Sequence, residues 1–161
     1  MAKEFKIYAP FDGTVEEISK LDDGVFSEKM LGDGFFINPA IEHGSLKVLS
    51  PVFGQIQQIF ETKHAIFFKD IETEISILMH FGIDTVTLKG EPFKMKVSEG
   101  KKVKPKSKIM IVDLDTIKSA QLKSSTPIVV DKGDTNLEFT FKLEKSGSVF
   151  AGDHIGTITV K

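Results

Sequence analysis

The sequence predicts an all-β fold, an antiparallel β-sandwich or barrel-sandwich hybrid with a duplicated motif and one or two short helices. The first observation behind this is a series of short segments, rich in β-branched and aromatic residues, that recur between Gly, Pro, Asp and Asn. Short strands at such spacing are typical of sandwiches and barrels. The segments are residues 5–9, 34–37, 46–49, 54–60, 64–69, 74–80, 108–113, 127–131, 137–141 and 155–160.

Helical signal is sparse, which is the second observation. A helical turn is expected around residues 27–31, and a helix is expected over residues 115–122 with Asp115 as its N-cap. Neither is long enough to organise the fold.

The third observation is a pair of internal echoes. Residues 9–18 match residues 50–59, since each begins with a small residue and Pro and continues with Gly and two apolar residues at the same spacing. Residues 103–109 and 149–155 share a Val and an Ile at equal separation. A duplicated β-motif explains both echoes, and chance agreement among turn residues is the alternative.

Composition narrows the function classes. A chain of 161 residues with 40% hydrophobic content predicts a single domain over residues 1–161. The absence of cysteine excludes disulfides, thiolate metal sites and a cysteine nucleophile. All 21 basic residues are Lys and the net charge is −2, so nucleic-acid binding is not expected. The Lys-rich stretch at residues 101–108 is interpreted as a solvated strand edge.

The first residues, Met1 to Phe5, carry charge and lack the apolar core of a signal peptide. No later apolar run is long enough to cross a bilayer. A cytoplasmic protein is therefore expected.

Four histidines are the side chains best suited to chemistry near neutral pH. His43 and His154 lie in turn-like segments and are interpreted as solvated surface residues. His64 and His80 lie on predicted strands, which makes them the candidates for a functional site.

Strand alternation predicts the direction of His80. In the segment 74–81 one face is apolar and forms the core side, and His80 falls on the opposite face. The apolar face consists of Ile75, Ile77, Met79 and Phe81.

Residues 70–73 predict the turn of a hairpin. If the turn centres on residue 72, His64 opposes His80 and Ile66 opposes Leu78. Two imidazoles side by side can act as a nucleophile with its helper, as a metal pair, or as a structural or solvated pair. A neutral imidazole attacks phosphorus well, and a second imidazole can donate a hydrogen bond to phosphoryl oxygens.

A longer motif favours the phosphoryl chemistry. Residues 79–90, MHFGIDTVTLKG, resemble the His-x-Gly-x-Asp-Thr active-site signature of the glucose-family enzyme IIA of the phosphoenolpyruvate-dependent sugar phosphotransferase system. Residues 59–65 resemble the second-histidine segment of that family, and residues 26–34, 124–129 and 143–152 agree further. The resemblance runs from about Lys6 to the C-terminus.

The resemblance implies roles for individual residues. His80 is the phosphorylated residue, His64 stabilises and helps to pass on the phosphate, and Thr62 polarises the pair. Gly82 can bring its carbonyl close to His80 and fix its tautomer, and Asp84 is a rim carboxylate that meets a basic partner. An apolar collar is implied at Val25, Phe26, Met30, Leu31, Phe60 and Val86.

The resemblance also implies partners. The phosphoryl donor is the histidine phosphocarrier protein, and the acceptor is the cysteine of a sugar-specific IIB domain. No cofactor is required, although His64 and His80 can bind zinc at a partner interface if a partner carboxylate joins them. Because the fold-like sequence starts within a few residues of Met1, no membrane-docking tail or direct membrane anchor is expected.

Two other classes of protein remain as alternatives. Lys94-Met95-Lys96, followed by Gly100, is faintly similar to the modified-lysine segment of a biotinyl or lipoyl carrier, but the order of Lys and Met is wrong for it. A zinc-dependent hydrolase or zinc-bridged binding module built on His64 and His80 lacks the usual third ligand.

Overall fold

The computed structural model describes residues 3–28, 32–131 and 138–160. This part of the chain forms fourteen β-strands, one short α-helix, and 3₁₀ helices at Ile18–Lys20 and Thr85–Leu88. The helix α1 is Leu114–Ser119. The strands are β1 (Lys3–Tyr8), β2 (Gly13–Glu17), β3 (Asp33–Pro39), β4 (Ser45–Leu49), β5 (Gly54–Ile59), β6 (Ala65–Lys69), β7 (Ser76–His80), β8 (Phe93–Met95), β9 (Lys102–Val103), β10 (Lys108–Asp113), β11 (Thr126–Asp131), β12 (Phe139–Leu143), β13 (Gly147–Val149) and β14 (His154–Val160).

The sheets show the duplication that the echoes predicted. One sheet of eight strands has the order β13-β2-β3-β11-β7-β6-β5-β9, and two sheets of three have the orders β1-β14-β12 and β4-β10-β8. All of the pairings are antiparallel. The large sheet divides at the β11–β7 pair into two halves of matching order, and the two small sheets correspond strand for strand. The all-β sandwich with a duplicated motif is thus confirmed.

Reciprocal hydrogen bonds join the two repeats near their first residues. Tyr8 N donates to Pro51 O at 2.7 Å, and Leu49 N donates to Pro10 O at 2.8 Å. The two bonds occupy corresponding positions in the echoed segments, so each Pro-containing loop satisfies the backbone of the other.

The glycine of each echo has a steric cause. Gly13 and Gly54 begin β2 and β5, and a Cβ on either would lie 2.1 Å from Asn38 O or 2.5 Å from Lys69 O on the neighbouring strand. Both positions therefore need the close backbone approach that glycine allows.

The main core contains the apolar face predicted for β7. Ile75, Ile77, Met79 and Phe81 are all buried in it. A second, smaller apolar cluster lies on the other face of the sheet and includes Leu78, Ala65 and Phe26. His80 follows Leu78 on this second face by strand alternation, as predicted.

The predicted hairpin register is wrong by one residue. Ala65, not His64, is the cross-strand partner of His80, and Phe67, not Ile66, opposes Leu78. The cause is the connection between β6 and β7, which Asp70 N closes by donating to Ile75 O at 2.9 Å. Four residues therefore lie between this last pair, and the turn centres between residues 72 and 73.

The N-terminus of α1 also differs from the prediction. Asp113 is the N-cap, and its side chain accepts a hydrogen bond from Asp115 N at 3.1 Å. The predicted cap residue Asp115 therefore lies inside the first turn, and the helix ends at Ser119 rather than at residue 122. Of the helical turn predicted at residues 27–31, residues 29–31 lie outside the described residues.

The short strands β2, β8 and β13 and both 3₁₀ helices were not predicted. The Lys-rich stretch does form a sheet edge, because β9 is the last strand of the large sheet, with Val103 buried and the lysines exposed. Within the described residues, no helix has the length and apolar character needed to cross a bilayer.

Candidate functional site

His80 is the last residue of β7, where the backbone turns away from the sheet. Its ring Nδ1 lies 2.9 Å from the carbonyl oxygen of Gly82. Gly82 makes this turn possible because its φ of +76° is in the left-handed region that favours glycine. A carbonyl can only accept, so Nδ1 carries the proton and donates it, which leaves the lone pair on Nε2.

His64 lies just before β6 and is also held through Nδ1. The hydroxyl of Thr62 lies 2.6 Å from His64 Nδ1. Between them, Lys63 has a φ of +61°, which breaks the strand alternation at this point. His64 is only 5% exposed.

The two imidazoles are in contact although they are not cross-strand partners. Their ring centroids are 4.7 Å apart and their planes are 80° from parallel, an edge-to-face arrangement. Phe81 N donates to His64 O at 2.7 Å, which ties the backbones of the two strand ends together. Strict alternation from Ile66 would direct His64 into the main core, but the backbone bends at residues 63 and 64, before β6 begins, so the alternation of β6 does not extend to His64.

The Nε2 atoms of both rings are available for chemistry. Within the described residues neither has a hydrogen-bond partner. In the same part of the chain no fully buried side-chain nitrogen or oxygen lacks a partner, so both Nε2 atoms reach the surface.

Both rings are neutral at pH 7. Burial lowers the pKa of His64 to about 4, with a further contribution from repulsion by His80. Burial also lowers the pKa of His80, and the Gly82 carbonyl, Asp23 and Asp84 oppose that shift. The site therefore combines a nucleophilic nitrogen with carboxylates that favour positive charge on the same ring.

Asp84 is exposed and directly precedes the 3₁₀ helix at Thr85–Leu88. Its charge acts on His80, in agreement with a place at the rim of the site. Sequence reasoning missed Asp23, whose carboxylate acts on His80 in the same direction.

Asp23 also fixes a loop of the site. Its side chain accepts hydrogen bonds from Phe26 N at 2.8 Å and Ser27 N at 3.0 Å. These backbone contacts lower the pKa of Asp23 against the opposing effect of burial. The signal in the sequence was an Asp followed by Gly24, a pair typical of a turn whose side chain bonds the backbone ahead.

The apolar collar is present in part. Phe26 contacts His80 with ring centroids 5.2 Å apart, and Phe60 contacts His64 at 5.7 Å. Val25 and Val86 are exposed apolar residues. Met30 and Leu31 lie outside the described residues.

The other two histidines have their own contacts. His43 is exposed, as expected, and its Nδ1 lies 3.2 Å from a carboxylate oxygen of Asp115. His154 is only half-buried rather than fully solvated, and its Nε2 lies 2.9 Å from both Gly156 O and the hydroxyl of Thr157. The sequence did not predict these contacts of His154.

The lysines of the carrier alternative lie along a strand. Lys94 is in β8 and opposes Ile111 of β10, and Lys96 N donates to Ile109 O at 2.8 Å. A biotinyl or lipoyl carrier would present its lysine at the tip of a hairpin, so this geometry disfavours that alternative.

An intrinsic metal centre is not supported by the side chains. In residues 3–28, 32–131 and 138–160, no group of three or more His, Cys, Asp or Glu residues is placed to hold a metal ion. His64 and His80 alone supply two nitrogen donors, fewer than the three protein ligands of a usual catalytic zinc site.

Comparison with known proteins identifies the family. The family model described as phosphoenolpyruvate-dependent sugar phosphotransferase system, EIIA 1, matches residues 5–136. Because this match covers most of the chain, the protein belongs to that family of phosphotransferase-system proteins.

Individual relatives agree with this assignment. The chain is 40% identical over 159 residues to the glucose-specific EIIA component of Buchnera aphidicola from Acyrthosiphon pisum, covering 99% of this chain and 93% of that protein. It is 41% identical over 146 residues to the glucose-specific EIICBA component of Streptococcus pneumoniae, covering 91% of this chain but 19% of that protein. The solved structure of glucose permease IIA from Mycoplasma capricolum superposes with a TM-score of 0.82 at 35% identity, covering 96% of each chain.

The lowered pKa values predict how stability depends on pH. In the unfolded chain, His64 binds a proton once the pH falls below its ordinary pKa of 6.5. In the folded chain, it binds a proton only once the pH falls below a pKa of about 4. The unfolded state therefore binds more protons in that window, and the free energy of unfolding should fall as the pH drops through it.

Urea unfolding at pH 7 and pH 5 measures this effect. The loss of stability between the two pH values should be smaller in His64→Gln than in the wild type, by up to about 2 kcal/mol. Gln58→Ala, an exposed change without an ionisable group, should keep the wild-type loss. An equal loss in wild type and His64→Gln would contradict a lowered pKa at His64.

Proposed function

We propose that this chain is a phosphocarrier of the sugar phosphotransferase system, in which His80 Nε2 accepts a phosphoryl group and passes it to a protein partner. The observation that carries the proposal is the hydrogen bond of His80 Nδ1 to Gly82 O, with a second imidazole 4.7 Å away. Membership of the EIIA family supports the same conclusion.

In the acceptance step, the lone pair of His80 Nε2 attacks the phosphorus of a phosphohistidine on the donor protein. The donor's P–N bond breaks as the new P–Nε2 bond forms, and no proton has to leave Nε2. The proton on Nδ1 stays in place and donates to Gly82 O, so the phosphorylated ring carries positive charge. Asp23 and Asp84 stabilise that charge, because both favour the cationic form of His80.

His64 supports the transferring group. If the Thr62 hydroxyl donates to His64 Nδ1, the proton of the His64 ring is on Nε2. That N–H can donate to a phosphoryl oxygen, whose negative charge spreads over three oxygens in the transition state. The buried position of His64 makes such a hydrogen bond stronger than it would be in water.

The partners follow from the same chemistry. The donor is the histidine phosphocarrier protein, whose basic surface meets Asp84, and the acceptor is the cysteine of a sugar-specific IIB domain. Val25 and Val86 supply exposed apolar contacts for both partners, and Phe26 and Phe60 pack against the imidazoles. The names of the relatives favour a glucose-type transporter. The protein acts in the cytoplasm as one EIIA unit over residues 1–161, in line with the composition of the sequence.

No cofactor takes part in this transfer. Zinc binding at His64 and His80 is proposed only for a complex in which a partner carboxylate supplies the third protein ligand.

The first test concerns the modified residue. Incubation with phosphoenolpyruvate and the general phosphotransferase proteins should add one phosphate-sized mass that is labile in acid and stable in base. His80→Ala should accept none, whereas His43→Ala, a change at an exposed histidine, should be modified like the wild type. Phosphate retained by His80→Ala would exclude His80 as the carrier residue.

The second test separates the two histidines. His64→Gln should still accept phosphate, since His80 and Gly82 are intact, but should donate it poorly to the IIB cysteine. Single-turnover assays of each half-reaction measure this, with His43→Gln as the matched control. If both half-reactions slow equally, His64 has no separate role in donation.

The third test concerns the rim carboxylate. Asp84→Asn should slow association with the basic donor, and the effect should be larger at low salt than at high salt. Glu72→Gln removes the same charge at the opposite end of the β6–β7 hairpin and should change the rate little. A salt-independent defect in Asp84→Asn would indicate a structural role for Asp84 instead.

A further inference from the structure

Thr85, the last residue of the His-x-Gly-x-Asp-Thr signature, has no role in the transfer described above. It is fully buried and begins the 3₁₀ helix at Thr85–Leu88. Its hydroxyl donates to the carbonyl oxygen of Phe81. A buried hydroxyl is costly unless it is bonded, so this contact both satisfies Thr85 and fixes the peptide between Phe81 and Gly82.

The Thr85 side chain also limits the space around Gly82. A Cβ placed on Gly82 would lie 2.5 Å from Thr85 Cγ2 and 2.8 Å from the carbonyl oxygen of Lys123. That same carbonyl accepts a hydrogen bond from Ile83 N at 3.0 Å. Gly82 is therefore held between a buried side chain on one side and the backbone at Lys123 on the other.

Phe81 connects the contacts around Gly82 to both imidazoles. Its N–H donates to His64 O, and its carbonyl accepts from Thr85, so the peptides on each side of Phe81 are fixed. The next carbonyl along the chain is that of Gly82, which accepts the hydrogen bond from His80 Nδ1–H. The direction of this acceptor thus depends on a hydrogen bond made three residues further along the chain.

We propose that Thr85 is a positioning residue for His80, acting through Gly82. Its hydroxyl holds the Phe81–Gly82 peptide so that Gly82 O faces Nδ1, which keeps the proton on Nδ1 and the lone pair on Nε2. Without the hydroxyl the turn relaxes, the His80 ring populates the Nε2–H tautomer, and the nucleophilic nitrogen is blocked by a proton. This inference rests on the proposed function of His80 for its meaning in transfer, but the tautomer can be measured without any phosphoryl donor.

The decisive measurement is the ¹⁵N NMR spectrum of the imidazoles at pH 7.5 in the unphosphorylated protein. Wild type should show His80 as the Nδ1–H tautomer. Thr85→Val, which keeps the shape and removes the hydroxyl, should shift His80 toward Nε2–H, and Thr85→Ser, which keeps the hydroxyl, should restore Nδ1–H. His64 should keep one and the same tautomer in all three proteins, because Thr62 holds that ring.

A matched control is Thr87→Val in the same 3₁₀ helix. The hydroxyl of Thr87 also donates to a backbone carbonyl, that of Asp84 at 2.8 Å, but on the exposed side. The His80 tautomer should be the same in Thr87→Val as in wild type. In the phosphorylation assay, Thr85→Val should be slower by roughly ten-fold with little change in the KM for the donor, as expected for a misplaced reacting group.

An unchanged His80 tautomer in a folded Thr85→Val protein would overturn the proposal. If that variant does not fold, Thr85→Ala gives the same comparison, because its smaller side chain leaves room for water at the Phe81 carbonyl. A tautomer that depends on Thr85 in a protein that never takes up phosphate would support the positioning role and refute the proposed function. Normal phosphorylation together with a tautomer that does not depend on Thr85 would support the proposed function and refute the positioning role of Thr85.

Discussion

The pairing of β7 with β11 at the centre of the large sheet is the constraint on which the rest of the structure depends. It joins the two halves of the duplicated motif, and both of its faces are covered. Met79 opposes Ile128 in the main core, and Leu78 opposes Val129 in the second cluster. Each fully buried apolar side chain of this size contributes about 1.5–3 kcal/mol. A slip of one residue would exchange the two faces, so the register of β7 is fixed up to the residue before His80.

The rigid end of β7 fixes the position of His80. His80 extends directly from the fixed strand, and the turn at Gly82 brings its hydrogen-bond acceptor back to the ring. Burial keeps both imidazoles neutral, whereas Asp23 and Asp84 favour a cation on His80 alone. The two rings are therefore chemically distinct although they are the same residue type in contact with each other.

Strand alternation was the part of the site that the sequence could predict. The regular spacing of Ile75, Ile77 and Met79 correctly placed His80 on the face opposite the main core. The register could not be predicted because Glu74 takes a left-handed φ of +64° in the β6–β7 turn, which nothing in a glutamate signals. Lys63, with its φ of +61°, lies in the bend that precedes β6, and nothing in a lysine signals that bend either. The motif therefore pointed to two histidines that the structure places in contact, whereas the hairpin arithmetic gave the wrong pairing for them.

Contacts between distant parts of the chain were the other feature of the site that could not be predicted from the sequence. The carboxylate of Asp23 acts on His80 from a loop that precedes β3, and the backbone at Lys123 supports Gly82 from the loop before β11. Neither relation has a periodic pattern, because each depends on which loops the sheet order brings together. The duplication was visible in the sequence because its glycines and prolines meet the same backbone requirement twice.

The order of the strands also has a consequence for the kinetics of folding. β6 and β7 form a local hairpin, so closing the loop that brings His64 and His80 together costs little entropy. Lys3 pairs with Val160, and β7 pairs with β11, so the remaining closures join residues far apart in the chain and are intrinsically slow. The two imidazoles can therefore come into contact early in folding. The burial that keeps them neutral, and the support of Gly82 by the Lys123 backbone, form only with the last, long-range pairings.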